Sequence, residues 1–242
     1  MIEIQKNQYS INSFTGSKQK RKARKRNKNV DIALSAFCGA VAPVVVLNTL
    51  KKGRVEELTN SFKNKLPLKD KFKSIWNMFE IDNYSEILAT TTGGVLGGLL
   101  GGLKYAKTKE DKEAKYKEGI FEFLNNMTPT TFVALFTAYG NKTGKLQSAF
   151  AKGSTILASV VGGMFLANKT SNKINEVIFD KDKEKKDKRN FKVVDCFVHI
   201  DDLVNLAVLT KIPLANKLQV DKLLPFIYAR SGFEAGNAKK EE

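Results

Sequence analysis

Long uncharged stretches alternate with highly charged ones along this chain of 242 residues. The first uncharged stretch is Ile32–Leu50, and a second one of similar length lies between Glu122 and Lys142. Each contains one proline, Pro43 or Pro129. Because about 20 apolar residues cross the hydrocarbon core of a bilayer, both stretches are predicted to be transmembrane helices. Proline is tolerated there because neighbouring helices satisfy the freed backbone groups.

A third uncharged stretch, 87–103, carries six glycines within the ten positions 93–102. In a water-exposed helix these would cost about 5–6 kcal/mol relative to alanine. In lipid, small residues at four-residue spacing let helix backbones approach each other, which favours association. We therefore predict a transmembrane helix with two packing ridges. The first glycine ridge is Gly93, Gly97 and Gly101, and the second glycine ridge is Gly94, Gly98 and Gly102.

The last uncharged stretch lies between Lys152 and Lys169 and is short for a complete span. Its small residues predict a further packing surface, made of Ser154, Ala158, Gly162 and Gly163. The order proline helix, small-residue helix then occurs twice. We predict an all-α, multi-pass membrane protein with four short transmembrane helices, arranged as two hairpins, together with amphipathic helices and a small C-terminal helical region.

The polar stretches divide the chain into regions. We predict a disordered basic tail (1–31), a first hairpin (32–107) with an amphipathic insert (54–83), a charged linker (108–118), a second hairpin (119–171), a charged linker (172–192) and a C-terminal amphipathic region (193–242). The insert has apolar residues at helical spacing, is broken at Pro67, and is expected to lie on a membrane surface or to pack on its own domain. The C-terminal region is expected to form a surface-lying cap, with Gly232 ending its last helix.

Charge points to an anionic partner, because 41 Lys and Arg face 25 Asp and Glu, giving a net charge of +16. Eight basic residues concentrate in the tail: Lys18, Lys20, Arg21, Lys22, Arg24, Lys25, Arg26 and Lys28. Next to a membrane segment such a run favours anionic lipid. Nucleic-acid binding, a targeting signal and a purely solubilising role are the alternatives.

One cluster near the C-terminus suggests chemistry, since Asp195, His199 and Asp202 would share a helix face. Histidine with carboxylates can bind a divalent metal or act in acid–base catalysis. A metal site would need a second ligand set, and His199 is the single histidine. No nucleophile elbow, phosphate-binding loop, zinc-ligand spacing or dinucleotide fingerprint occurs. We therefore predict a non-enzymatic protein without a metal or another cofactor.

Four polar residues in or beside the uncharged stretches are the remaining candidates: Asn48, Glu122, Asn125 and Asn126. Facing lipid they would be costly, so they are expected to hydrogen-bond other helices or to line a cavity.

Three functions remain open. The favoured one is a membrane protein with a structural, assembly or scaffold role, which contacts anionic lipid or partner proteins through its basic tail. Its glycine ridges would bind a second copy or a protein partner. The alternatives are a small channel or transporter built from the duplicated hairpin, and a soluble helical protein that binds nucleic acid. The positive-inside rule favours cytoplasmic N- and C-termini.

Overall fold

The computed structural model describes residues 18–64, 66–146, 148–181, 188–189, 204 and 217–239. Within these residues the protein is helical and contains no strand, which confirms the all-α prediction. The helices are α1 (Lys18–Leu50), α2 (Lys52–Lys63), α3 (Leu68–Asn77), α4 (Tyr84–Leu103), α5 (Lys109–Lys142), α6 (Ala149–Phe179), a 3-10 turn (Val220–Leu223) and α7 (Leu224–Asn237).

Polar side chains fix where three of these helices begin. Asn83, Thr108 and Ser148 each accept a hydrogen bond from the backbone amide three positions later, at 3.1, 3.0 and 3.0 Å. Such N-caps satisfy amides that have no partner within the helix. The starts of α4, α5 and α6 are therefore encoded locally.

Three charged stretches that were predicted to be tail or linkers are helical instead. α1 includes residues 18–31, α5 includes residues 109–118 and α6 includes residues 172–179. Lys, Arg, Glu and Ala favour helix, and extending an existing helix avoids the cost of a new nucleus. In α5 a Glu113–Lys117 ion pair of 3.3 Å, one turn apart, adds to this.

α1 and α4 form an antiparallel pair at the centre of the fold. Gly93, in the first half of α4, lies against Val46 near the end of α1, whereas Gly101 lies against Leu34. α5 and α6 form a second antiparallel pair, and α5 also packs on α4. The four long helices thus make two successive hairpins.

The C-terminal helix enters this bundle rather than lying on it as a cap. α7 packs against α1, α4 and α5 and runs parallel to α4, since Gly94 faces Tyr228 and Gly102 faces Gly236. Tyr228 is fully buried. The first turns of α1 and the end of α7 therefore lie at the same end of the bundle.

The two hairpins are staggered along the bundle axis. The hydroxyls of Tyr84, the first residue of α4, and Thr131 of α5 hydrogen-bond at 2.6 Å. Residues 132–142 of α5 continue past this level, about 16 Å at 1.5 Å per residue. The α5–α6 pair therefore projects beyond α1 and α4 at the end where α2 and α3 leave the bundle.

The bundle buries polar side chains and exposes apolar ones. Among the described residues, 19 polar or charged side chains are buried, against 12 hydrophobic ones. Large apolar side chains on the outer surfaces of the long helices are exposed, among them Phe37, Val45, Leu100, Phe136 and Leu157. A protein that folds in water normally shows the opposite distribution.

Two stretches in the described residues are long and apolar enough to cross a membrane, Ile32–Leu50 in α1 and Phe150–Phe179 in α6. Only 28% of each stretch is buried in the bundle, whereas the core helix of a soluble protein is mostly buried. The glycine-rich helix α4 and the proline-containing helix α5 are present but do not meet the same criterion.

Candidate functional site

The first glycine ridge of α4 faces α1. A Cβ placed on Gly97 would lie 2.5 Å from both the Cβ of Ala42 and the carbonyl oxygen of Cys38. On Gly101 it would lie 2.8 Å from the carbonyl oxygen of Leu34. Non-bonded carbon atoms normally stay about 3.5–4.0 Å apart. The spacing between α1 and α4 therefore requires glycine at these positions.

The second glycine ridge faces α7, which carries glycines of its own. A Cβ on Gly98 would overlap the carbonyl oxygen of Gly232, and one on Gly102 would overlap that of Gly236. In return, a Cβ on Gly232 would overlap the carbonyl oxygen of Gly94. Such backbone contact permits Cα–H···O interactions of about 0.5–1 kcal/mol each. The helices that cover the two ridges of α4 are thus α1 and α7 of the same chain.

Sequence reasoning missed the role of α7 in this packing. Gly232 was predicted to end the last helix, but α7 continues to Asn237 because Gly232 packs against α4. The signal was available, since Gly232 and Gly236 have the same four-residue spacing as the ridges of α4.

Only one of the predicted packing residues of α6 is shown in close contact with another helix. A Cβ on Gly163 would lie 2.5 Å from the Cα of Pro129, so α5 and α6 are close at this level. Ser154 and Ala158 are exposed, and a Cβ on Gly162 would meet no described atom within 4 Å. α6 therefore packs on α5 through Gly163, and the Ser154–Ala158–Gly162 ridge is uncovered in the described part of the chain.

A polar seam connects α5 to α7, and it contains predicted candidates. Asn126 donates to the Ser231 hydroxyl at 3.1 Å and to the Glu122 carbonyl oxygen at 2.7 Å, and Ser231 also bonds the Glu122 carboxyl group. Glu122, Asn125 and Asn126 are all at least 95% buried. Glu122 and Asn126 therefore bond Ser231 of α7, and Asn125 is buried with them in the bundle rather than facing outwards.

Two carboxyl groups of α5, Glu118 and Glu122, lie one turn apart and precede the uncharged stretch of that helix. Burial, followed by the charges of Glu118 and Glu234, raises the pKa of Glu122 well above 4.5. Burial also raises the pKa of Glu118, although its ion pair with Arg189 opposes that shift. The Arg189 guanidinium lies 3.9 Å from the centroid of the Phe121 ring. The seam therefore holds carboxyl groups that take up protons more readily than exposed ones.

A buried lysine fixes the end of α7. Lys115 is 1% exposed, and its Nζ donates to the carbonyl oxygens of Gly236 at 2.6 Å and Ala238 at 3.1 Å. The last carbonyls of a helix lack intrahelical partners and carry partial negative charge, so a cation there is stabilising. This contact anchors the C-terminal end of α7 to α5.

An ion-pair clamp holds the base of the α2–α3 hairpin. Lys51 contacts Asp82 at 2.5 Å and Glu86 at 2.7 Å, and Arg54 contacts Glu80 at 3.2 Å. These pairs join the end of α1 to the start of α4. Asn48, another predicted candidate, belongs to the same junction, because its amide donates to the Met78 carbonyl oxygen at 3.0 Å.

The remaining predicted sites are only partly described. The basic run 18–28 lies on the helical backbone of α1. Asp195, His199 and Asp202 lie outside the described residues. Among the residues that are described, no group of three or more His, Cys, Asp or Glu side chains could hold a metal ion.

Comparison of the chain with protein-family models, with curated proteins and with solved structures gives no match.

Proposed function

We propose that this protein is a non-enzymatic integral membrane protein with a structural or assembly role, whose basic N-terminal helix contacts anionic lipid. The observation that carries the proposal is the inverted distribution of side chains. Phe37 and Val45 are 65% and 53% exposed on a candidate span, while the glycines of α4 lie directly against the backbone of that span. In lipid, exposed apolar side chains are favourable and small residues mediate helix packing.

In the finer form of this proposal, α1, α4, α5 and α6 all cross the bilayer. α4 crosses together with α1 because the first glycine ridge of α4 lies in backbone contact with α1. α5 crosses together with α6 because Pro129 of α5 contacts Gly163 of α6. The stagger between the two hairpins is then accommodated by helix tilt or by local thinning of the bilayer.

The placement of the first turns of α1 and of the end of α7 supports an orientation with both termini in the cytoplasm. The basic turns of α1 and the end of α7 lie at the same end of the bundle. Lys104, Lys107, Lys109 and Lys112 follow the end of α4 there. Basic segments are retained on the cytoplasmic side, so this end is assigned to the cytoplasm.

The lipid contact can be tested by replacing the eight basic residues of 18–28 with glutamine in the full chain. Each lysine or arginine near an anionic surface contributes about 1 kcal/mol of attraction. We expect native mass spectrometry of the detergent-solubilised protein to show retained phosphatidylglycerol in preference to phosphatidylcholine, and the glutamine variant to lose this preference.

A control variant in which the lysines of 18–28 become arginine keeps the charge and should keep the preference. If the glutamine variant retains phosphatidylglycerol as well as the native chain does, the basic helix is not the lipid contact. If both the native chain and the arginine control bind a DNA duplex more tightly than anionic lipid, the nucleic-acid alternative is favoured instead.

A small channel or transporter is the second candidate, favoured by the polar seam. Polar side chains buried between helices at the end of a span, such as Glu122 and Asn126, are suited to the mouth of an ion or proton pathway. The test is proton or cation flux in proteoliposomes of the native chain and of Glu122→Gln. Flux that the variant abolishes would support this candidate, and no flux above protein-free liposomes would dismiss it.

A further inference from the structure

In the part of the chain that the structure describes, the α2–α3 hairpin has no hydrophobic core of its own. The side chains that these helices bury are Ser61 and Ser74. In contrast Phe62, Leu68 and Phe72, here called the apolar edge, are 51%, 74% and 69% exposed. Exposing such side chains to water is unfavourable in proportion to their apolar surface. The hairpin therefore presents a surface suited to an apolar environment that the described bundle does not supply.

The position of the hairpin brings this surface to the end of a candidate span. α2 begins two residues after Leu50, the last residue of the Ile32–Leu50 stretch. The Lys51 and Arg54 ion pairs hold its base against the start of α4. A second tether joins Trp76 Nε1 to Gln219 Oε1 at 2.7 Å. The hairpin consequently lies where α1 would emerge from a bilayer.

Charge around the apolar edge fits the surface of that bilayer. Lys63 and Lys69 are exposed, and Lys71 Nζ lies 5.3 Å from the centroid of the Phe62 ring. The acidic side chains Glu56 and Glu57 line the open groove between the two helices instead. Lysines beside aromatic side chains are typical of helices that lie in the interface of an anionic membrane.

We propose that the α2–α3 hairpin is an interfacial foot that inserts Phe62, Leu68 and Phe72 among the lipids around the end of α1. Its lysines contact the lipid headgroups. This inference rests on the proposed membrane location of the protein, but it concerns a different surface from the spans and from the basic N-terminal helix.

The chain has a single tryptophan, Trp76, so replacing it allows one fluorescent tryptophan to be placed at a chosen position. Two variants of the full chain each retain one tryptophan: Phe72→Trp with Trp76→Phe reports the hairpin, and Phe37→Trp with Trp76→Phe reports the candidate span. Both variants lose the Trp76–Gln219 tether equally and keep the Lys51 and Arg54 ion pairs that hold the base of the hairpin. Both are reconstituted into bilayers of phosphatidylcholine and phosphatidylglycerol, and far-UV circular dichroism checks that each variant retains the native helix content. Quenching is measured with lipids brominated at shallow or deep acyl positions, and with aqueous acrylamide.

We expect the Phe72→Trp variant to lose most of its emission to shallow brominated lipids and to resist quenching by acrylamide. Quenching of that variant by acrylamide but not by lipid would overturn the inference, as would shielding from both quenchers, which indicates a protein contact. The Phe37→Trp variant decides the proposed function separately. If deep brominated lipids fail to quench it, the proposed span is wrong, whatever the Phe72→Trp variant reports.

Discussion

Replacing Gly97 by alanine separates two effects of glycine in a helix. Alanine is favoured over glycine in a helix interior by about 0.8–1.0 kcal/mol. At Gly162 nothing in the described structure opposes this gain, because an added Cβ meets no atom within 4 Å. At Gly97 the same Cβ would lie 2.5 Å from Ala42 Cβ and from the Cys38 carbonyl oxygen. The two substitutions are chemically identical but should have opposite effects.

The magnitude follows from the contact distances. Since carbon atoms in contact are about 3.5 Å apart, α1 and α4 must separate by about 1 Å to accept alanine at Gly97. Overpacking of this kind typically costs about 1–3 kcal/mol. After subtraction of the gain in helix propensity, we expect Gly97→Ala to lower the free energy of unfolding by up to about 2 kcal/mol. Gly162→Ala should raise it by about 0.8–1.0 kcal/mol.

The assay is unfolding of the full chain in mixed micelles by increasing the mole fraction of SDS, followed by circular dichroism. The unfolding midpoint should fall for Gly97→Ala and rise for Gly162→Ala relative to the native chain. If Gly97→Ala is stabilised as much as Gly162→Ala, then α1 does not pack against the first glycine ridge, and the described centre of the fold is wrong.

Two further substitutions test the contacts between α5 and α7. Burial raises the pKa of Glu122 above 4.5 in the folded state, so the folded state binds this proton more tightly than the unfolded state does. The stability that the protonated carboxyl group contributes is therefore full below pH 4.5 and is lost as pH rises through the folded-state pKa. Glu122→Gln should therefore raise the SDS midpoint at neutral pH and flatten its pH dependence, whereas an unchanged slope would contradict the buried carboxyl. Lys115→Met removes the donor to the Gly236 and Ala238 carbonyls and should cost about 1–3 kcal/mol. The exposed Lys112→Met should change stability by no more than about 0.5 kcal/mol, and equal midpoints for the two lysine variants would refute the anchoring of α7.

Local pattern was enough to predict the long helices. Uncharged stretches and four-residue glycine spacing are both properties of contiguous residues. The same patterns place the helix ends wrongly in residues 18–31 and 109–118, because a charged stretch with good helix formers gives no stop signal when it adjoins a helix.

Long-range pairing was not predictable from one sequence. The second glycine ridge is covered by α7, which is separated from α4 by the whole α5–α6 hairpin. Four-residue spacing shows that a ridge exists but not which helix covers it. Likewise, Lys115 looks like one of many lysines in a charged run, and only the position of the α7 C-terminus makes it a buried cap. Such contacts depend on the assembled bundle.

The central claim is that the protein is embedded in a membrane, and fractionation of cells that express the full chain tests it most directly. Membranes are washed with alkaline carbonate and then extracted with detergent, and the protein is detected in each fraction. We predict that carbonate leaves the protein in the membrane and that detergent releases it. Release by carbonate, or recovery in the soluble fraction, would contradict the claim and would require a water-soluble explanation for the exposed apolar surfaces of α1 and α6.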